Sequence, residues 1–164
     1  MTKNKFIRYW LFFFIFGMLL SGITAIPLEW QMGHINTWLG SDSNLSNSLP
    51  ALSFWVTRIY EGLSSTYQQY PFIAYGTDWL AFAHIVLAIL FIGPLRDPVR
   101  NKWVIEFGMI ACVLVIPFAM VFGAIREIPL LWRMADSSFG VIGIIPLWFV
   151  LKEIKKLEAK SESA

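Results

Sequence analysis

Asp78, His84 and Asp136 are the residues best equipped for chemistry in this sequence, and each sits inside a long apolar stretch. An ionisable group in hydrocarbon is costly and is a functional candidate by default. A histidine near carboxylates can pass a proton to and from a bound molecule. These three are therefore the candidate catalytic residues, and a water-poor setting suits a lipid-like or isoprenoid substrate. Each also has a structural reading. Asp78 opens its stretch, where the positive end of a helix dipole favours a carboxylate. Asp136 follows Arg133 by one helical turn, which suits an ion pair. His84 lies about 12 Å beyond Gly76 at 1.5 Å per residue, on a different helix face from Asp78. Its expected partner is a group on another helix, Asp136 first.

Five more residues are binding candidates: Arg58, Glu61, Arg126, Arg133 and Glu106. Glu106 comes early in its apolar run and can fold back to Lys102 or Arg100. The others, with His34, belong to one half of the molecule, so a polar pocket near that surface is expected. No phosphate loop, metalloprotease HExxH or nucleophile elbow is present. Cys112 is the single cysteine and excludes an intrachain disulfide. No metal or cofactor is expected. A haem b needs two axial ligands, and only His34 and His84 are available.

The elements that position these residues follow from composition. The chain has 164 residues, of which 57% are hydrophobic and 15% charged, against roughly 45–50% and about 25% in soluble proteins. A soluble chain this short cannot hide that much apolar surface. The composition and a net charge of +2 also exclude a nucleic-acid module. A membrane-crossing helix needs roughly 20 apolar residues. Four runs qualify, at about 9–26, 76–95, 103–125 and 131–151. None alternates as a barrel strand would. The expected fold is an all-α integral membrane protein, a single membrane domain (1–164) built as a four-transmembrane-helix bundle.

Charge sets the expected orientation. Ten of the 13 basic residues precede the first run, fill the turn between the second and third, or follow the fourth. The positive-inside rule places both termini in the cytoplasm, an N-in/C-in arrangement, and a bacterial cytoplasmic (inner) membrane is the expected location. Trp10, Trp30, Trp79, Trp103, Trp132 and Trp148 mark run ends, as indoles do at headgroup level. The start of the chain, ending in Ser21–Ala25, also has the shape of a cleaved signal peptide. Its apolar run is long for one and Ile23 is bulky for a cleavage site, so a retained anchor is expected.

Residues 27–75 form a long outer segment between spans 1 and 2. Residues 40–48 are polar loop by composition. From Leu49 to about Gln69 an amphipathic helix is expected, capped by Ser48 with Pro50 in its first turn. Its apolar stripe is Leu52, Trp55, Ile59 and Leu63. Small residues suggest where spans touch: Gly17 with Ser21, Gly108 with Cys112, and Ser137, Gly140 and Gly143. Pro117 and Pro146 should bend their helices. The tail, 152–164, should continue helically beside anionic headgroups.

These features fit a non-enzymatic membrane component, an accessory subunit or small helical binding bundle. Its partners would be membrane lipids and other membrane proteins or a second copy. The alternatives are an intramembrane enzyme using the Asp and His groups and a proton- or solute-moving protein.

Overall fold

The computed structural model describes residues 3–162, and every regular element among them is helical. Seven α-helices follow in order: α1 (Lys3–Ala25), α2 (Leu28–Leu39), α3 (Pro50–Gln69), α4 (Tyr75–Leu90), α5 (Ile92–Arg96), α6 (Lys102–Ile125) and α7 (Leu130–Glu162). A 3-10 turn, Pro71–Ala74, leads into α4. Four stretches are long and apolar enough to cross a membrane: Lys5–Ala25, Pro71–Arg96, Lys102–Ile125 and Leu130–Lys160. Large apolar side chains on them face outward, among them Phe16, Phe82, Phe118, Ile125 and Phe139. In water such surface would drive aggregation; against lipid it is matched. The chain is a multi-pass membrane protein.

The chain divides into two compact units, one over Met1–Met18 and Leu87–Ala164, the other over Leu19–Val86. The first holds the apolar core. Ile7 and Leu11 of α1, Phe91 between α4 and α5, Ile105 of α6, and Leu147, Val150 and Ile154 of α7 are fully buried together. Phe14 meets Phe91 with ring centroids 4.7 Å apart, and Trp10 stacks on Phe149 at 5.0 Å. The start of α1, the end of α5, the start of α6 and the end of α7 therefore close one end of this unit.

α6 and α7 form an antiparallel hairpin along a seam of small residues. A side chain at Gly108 would strike Phe91 at 2.7 Å and Leu147 at 2.8 Å, and one at Gly140 would run into the Cys112 carbonyl. Gly143 faces Cys112 Sγ and Phe14. Between helices in lipid no hydrophobic force acts, so the attraction comes from close packing, which small residues permit. At the open end of the hairpin Lys102 Nζ reaches Glu158 Oε2 at 2.7 Å. At its closed end Glu127 takes φ 57°. The Ile128 amide then reaches the Gly123 carbonyl at 2.8 Å, and the Glu127 amide reaches that of Ala124 at 3.1 Å. This is the left-handed helix stop that satisfies orphan carbonyls, and Pro129 follows it. The expected turn at the other junction is reshaped by Pro94, which lacks the amide that would bond Leu90. The second span breaks at Phe91, and α5 is a separate turn of helix. Asn101 Nδ2 closes the loop after it by donating to the Asp97 carbonyl at 2.8 Å and the Gly93 carbonyl at 3.2 Å.

In the second unit α2 and α3 pack as a helical hairpin. α2 went unforeseen. Tyr60 of α3 lies over Gly33 of α2, 3.3 Å from where a side chain would begin. Thr57 Oγ1 donates to Asn36 Oδ1 at 2.7 Å and accepts the Ser41 amide at 2.8 Å. Gly40 ends α2 with its amide on the Asn36 carbonyl at 2.8 Å, so close to Asn36 that a side chain there would overlap it. Because α2 occupies this side, the buried residues of α3 are Ser53 and Val56. The expected stripe of Leu52, Trp55, Ile59 and Leu63 is only half-buried. Ser48 does not cap α3 either. Leu49 holds the cap position, with no side-chain bond, and Pro50 needs none. The seam expected at Gly17 and Ser21 is displaced as well. Gly17 has open space around it, and the buried small residue of α1 in this unit is Gly22.

The two hairpins are separately testable. Gly140→Leu forces a side chain into the Cys112 backbone and should lower stability by about 3 kcal/mol, at the upper end for overpacking. Gly17→Leu should be neutral or slightly stabilising, since glycine costs a helix about 1 kcal/mol. Thermal unfolding in detergent distinguishes them. Thr57→Val removes two hydrogen bonds and should cost about 1–2 kcal/mol, read as faster proteolysis of residues 40–49 than in wild type.

Candidate functional site

His84 is placed by the packing of α1 against α4 in the second unit. Ala81 and Ala88 are buried on the same side of α4. A side chain at Gly22 would stand 2.8 Å from His84 Cβ and 3.1 Å from the Ala81 carbonyl. The histidine thus rises beside Gly22, where α1 offers no side chain. Its Nδ1 lies 2.8 Å from the Leu80 carbonyl. A carbonyl only accepts, so Nδ1 carries the proton and Nε2 of the neutral ring keeps its lone pair. The bond is made within α4 itself, where an interhelical one was expected. It satisfies one ring nitrogen and aims the other.

Asp78 sits in the first turn of α4 and is exposed. There the dipole of α4 suffices to explain it. On α3, Arg58 stands 5.6 Å over the Trp55 ring, a cation–π contact. Glu61 points away exposed. His34 on α2 is exposed with its ring against the edge of Trp30, centroids 4.4 Å apart.

The remaining candidates belong to the first unit. Arg133 crosses to α6, and its stem fills the space left by Gly123, with Cγ and Cδ 2.5 Å from where a side chain there would begin. Its Nη1 donates to the Met120 carbonyl at 3.3 Å, and its Nε is buried with no partner. The ion pair expected with Asp136 is therefore not formed. Gly123 opens room on α6 for a long flexible stem, and the guanidinium follows it to a carbonyl. Asp136 is exposed one turn further along α7. Next to Asp136, one turn beyond Arg133, Ser137 is buried and donates to the Arg133 carbonyl at 2.8 Å. Arg126 is exposed at the end of α6. Glu106 is half-buried one turn into α6, where Lys102 extends instead to Glu158.

Among the described residues no three His, Cys, Asp or Glu side chains converge as a metal would require. A cavity of the first unit has none of these groups in its lining. It is an open apolar groove of about 370 Å³ along α6, lined by Phe107, Ile110, Ala111, Leu114, Val115 and Phe118. What the structure brings together is thus local: His84 with Leu80 and Gly22, and Arg133 with Met120 and Gly123. Gly22 and Gly123 escaped sequence reasoning, although Gly123 had a signal, a glycine inside a largely bulky apolar run. Comparison with protein-family models, with curated proteins and with solved structures returns no match to this chain.

The geometry of His84 fixes a tautomer. Nitrogen-15 NMR of the histidine-labelled protein above pH 8 should show one ring protonated at Nδ1 and bare at Nε2. Two rings both protonated at Nε2, that of the exposed His34 and that of His84, would show that the bond to Leu80 does not form.

Proposed function

We propose that this chain is a non-enzymatic component of a bacterial cytoplasmic membrane, an accessory subunit or small helical binding bundle. Both termini lie in the cytoplasm, and α2 and α3 lie on the opposite side. The observation that supports this most directly is how the polar groups of the spans are used. The His84 proton goes to the Leu80 carbonyl, the Arg133 guanidinium to the Met120 carbonyl, and the Ser137 hydroxyl to the Arg133 carbonyl. Each bond ties a side chain to backbone, which is structural service. Meanwhile α6 and α7 carry outward-facing Phe, Leu, Ile and Val along their length, surface that lipid or a partner helix can cover. Arg126, Arg133 and Asp136 stand at the closed end of the α6–α7 hairpin, where this reading gives them a structural or solvated role.

Orientation rests on the basic residues at the start of α1, around α5 and α6, and along the end of α7. A second reading draws on the bare Nε2 of His84. A positioned, unprotonated ring nitrogen is what an acid–base enzyme acting on a lipid-like substrate would use.

Two measurements test these readings. In a Cys112→Ala background, Asp42→Cys should react with an impermeant maleimide in intact cells, and Arg100→Cys only after permeabilisation. Reaction of both from outside would overturn the orientation. In native membranes the chain should migrate within a larger assembly. That assembly and the growth of a complemented deletion strain should survive His84→Ala and Asp136→Asn. Loss of growth with the assembly intact would replace the component with the enzyme.

A further inference from the structure

We propose that Arg8 and Arg96 hold the phosphate of an anionic phospholipid in a small cleft between α1 and α5. The cleft is made by the break in the second span. Pro94 ends regular α4, and the short α5 that follows finishes at Arg96, the last residue of that span. Arg8 lies one turn into the first span, which begins at Lys5. Both residues line one cavity of about 80 Å³ with Ile7, Pro94, Leu95 and Pro98. Its floor is firm, since Ile7 and Pro94 are fully buried and two prolines restrict the backbone.

The two guanidiniums have no hydrogen bond or ion pair among the described residues, and both are exposed. The neighbouring carboxylate, Asp97, accepts the Arg100 amide at 3.1 Å through Oδ1. Two planar forks lining one cleft match the oxygens of a phosphate. The volume is about that of two to three waters in the liquid, which is room for a phosphate group. The placement at span ends puts the cleft at headgroup level, where basic pockets between helices take anionic lipids. A soluble phosphate ester offers the same charge but has no acyl chains to hold it at headgroup level beside the span ends, so the lipid is the ligand. This holds whichever side of the membrane the cleft faces.

The test is binding of short-chain phosphatidylglycerol to the purified full chain in a nonionic detergent, with phosphatidylcholine of equal chain length for comparison. Wild type should prefer phosphatidylglycerol at least tenfold. Arg8→Gln/Arg96→Gln should lose that preference, whereas Lys152→Gln/Lys155→Gln, which removes the same charge elsewhere, should keep it. Equal binding by the arginine variant and wild type, or no preference in wild type, overturns the proposal. Competition by sn-glycerol 3-phosphate at the lipid's own concentration also overturns it, in favour of a soluble ester. If the glutamine variant fails to fold by circular dichroism, Arg8→Lys/Arg96→Lys replaces it. Lysine keeps the charge and loses the fork, so affinity should drop several-fold, and unchanged affinity overturns the proposal.

Discussion

Gly140 packs against the backbone of Cys112 at a spacing that admits no side chain, and the first unit is organised around that contact. In lipid, helices gain little by burying apolar surface, because the surroundings are as apolar as they are. Close backbone approach is what remains. Once Gly140 meets Cys112, the antiparallel course of α6 and α7 dictates the rest of the register. Gly108 comes under Leu147, Gly123 comes under Arg133, and Lys102 comes within reach of Glu158. Phe91 then finds its place over Gly108. The buried aliphatic cluster at one end fills the space the register leaves, rather than defining it.

The same scarcity of water governs the polar groups. A donor left bare in hydrocarbon costs several kcal/mol, and His84, Arg133 and Ser137 each turn to a backbone carbonyl. Backbone carbonyls have a second lone pair to offer, which lets His84 and Arg133 bond to carbonyls that lie within helices. Arg133 also shows the limit of this device, because its Nε stays buried without a partner. A long stem is needed to reach α6, and only the tip of the guanidinium meets an acceptor.

Much of this was readable from residue order. The four spans follow from run length, and the Gly108, Gly140 and Gly143 seam follows from small residues recurring at helical spacing. Other features depend on contacts that spacing alone does not carry. Residues 28–39 mix Glu29, Gln31, His34 and Asn36 with Trp30 and Trp38, so no clean apolar period announces a helix. α2 is recognisable through its partner, by the Asn36–Thr57–Ser41 hydrogen bonds and the Gly33–Tyr60 contact. That partner in turn moves the buried face of α3 to Ser53 and Val56. At the candidate site, sequence spacing brought Arg133 within one turn of Asp136, and opposite charge suggested a pair. The decisive residue was Gly123 on another helix, whose missing side chain admits the arginine stem. Gly22 acts likewise for His84.

α7 is a single helix of 33 residues, about 50 Å long at 1.5 Å per residue, in a bilayer whose hydrocarbon is about 30 Å thick. Its last turns therefore stand clear of the apolar layer while remaining in one continuous helix, through Pro146, with the part that carries Gly140. Such a helix is a lever. Lys102 and Glu158 act as its fulcrum where α6 begins, and a load on the protruding arm reaches the seam as rotation or tilt rather than dissipating in a loose linker. Whatever grips the tail is mechanically connected to the backbone contact between Gly140 and Cys112, across the thickness of the membrane.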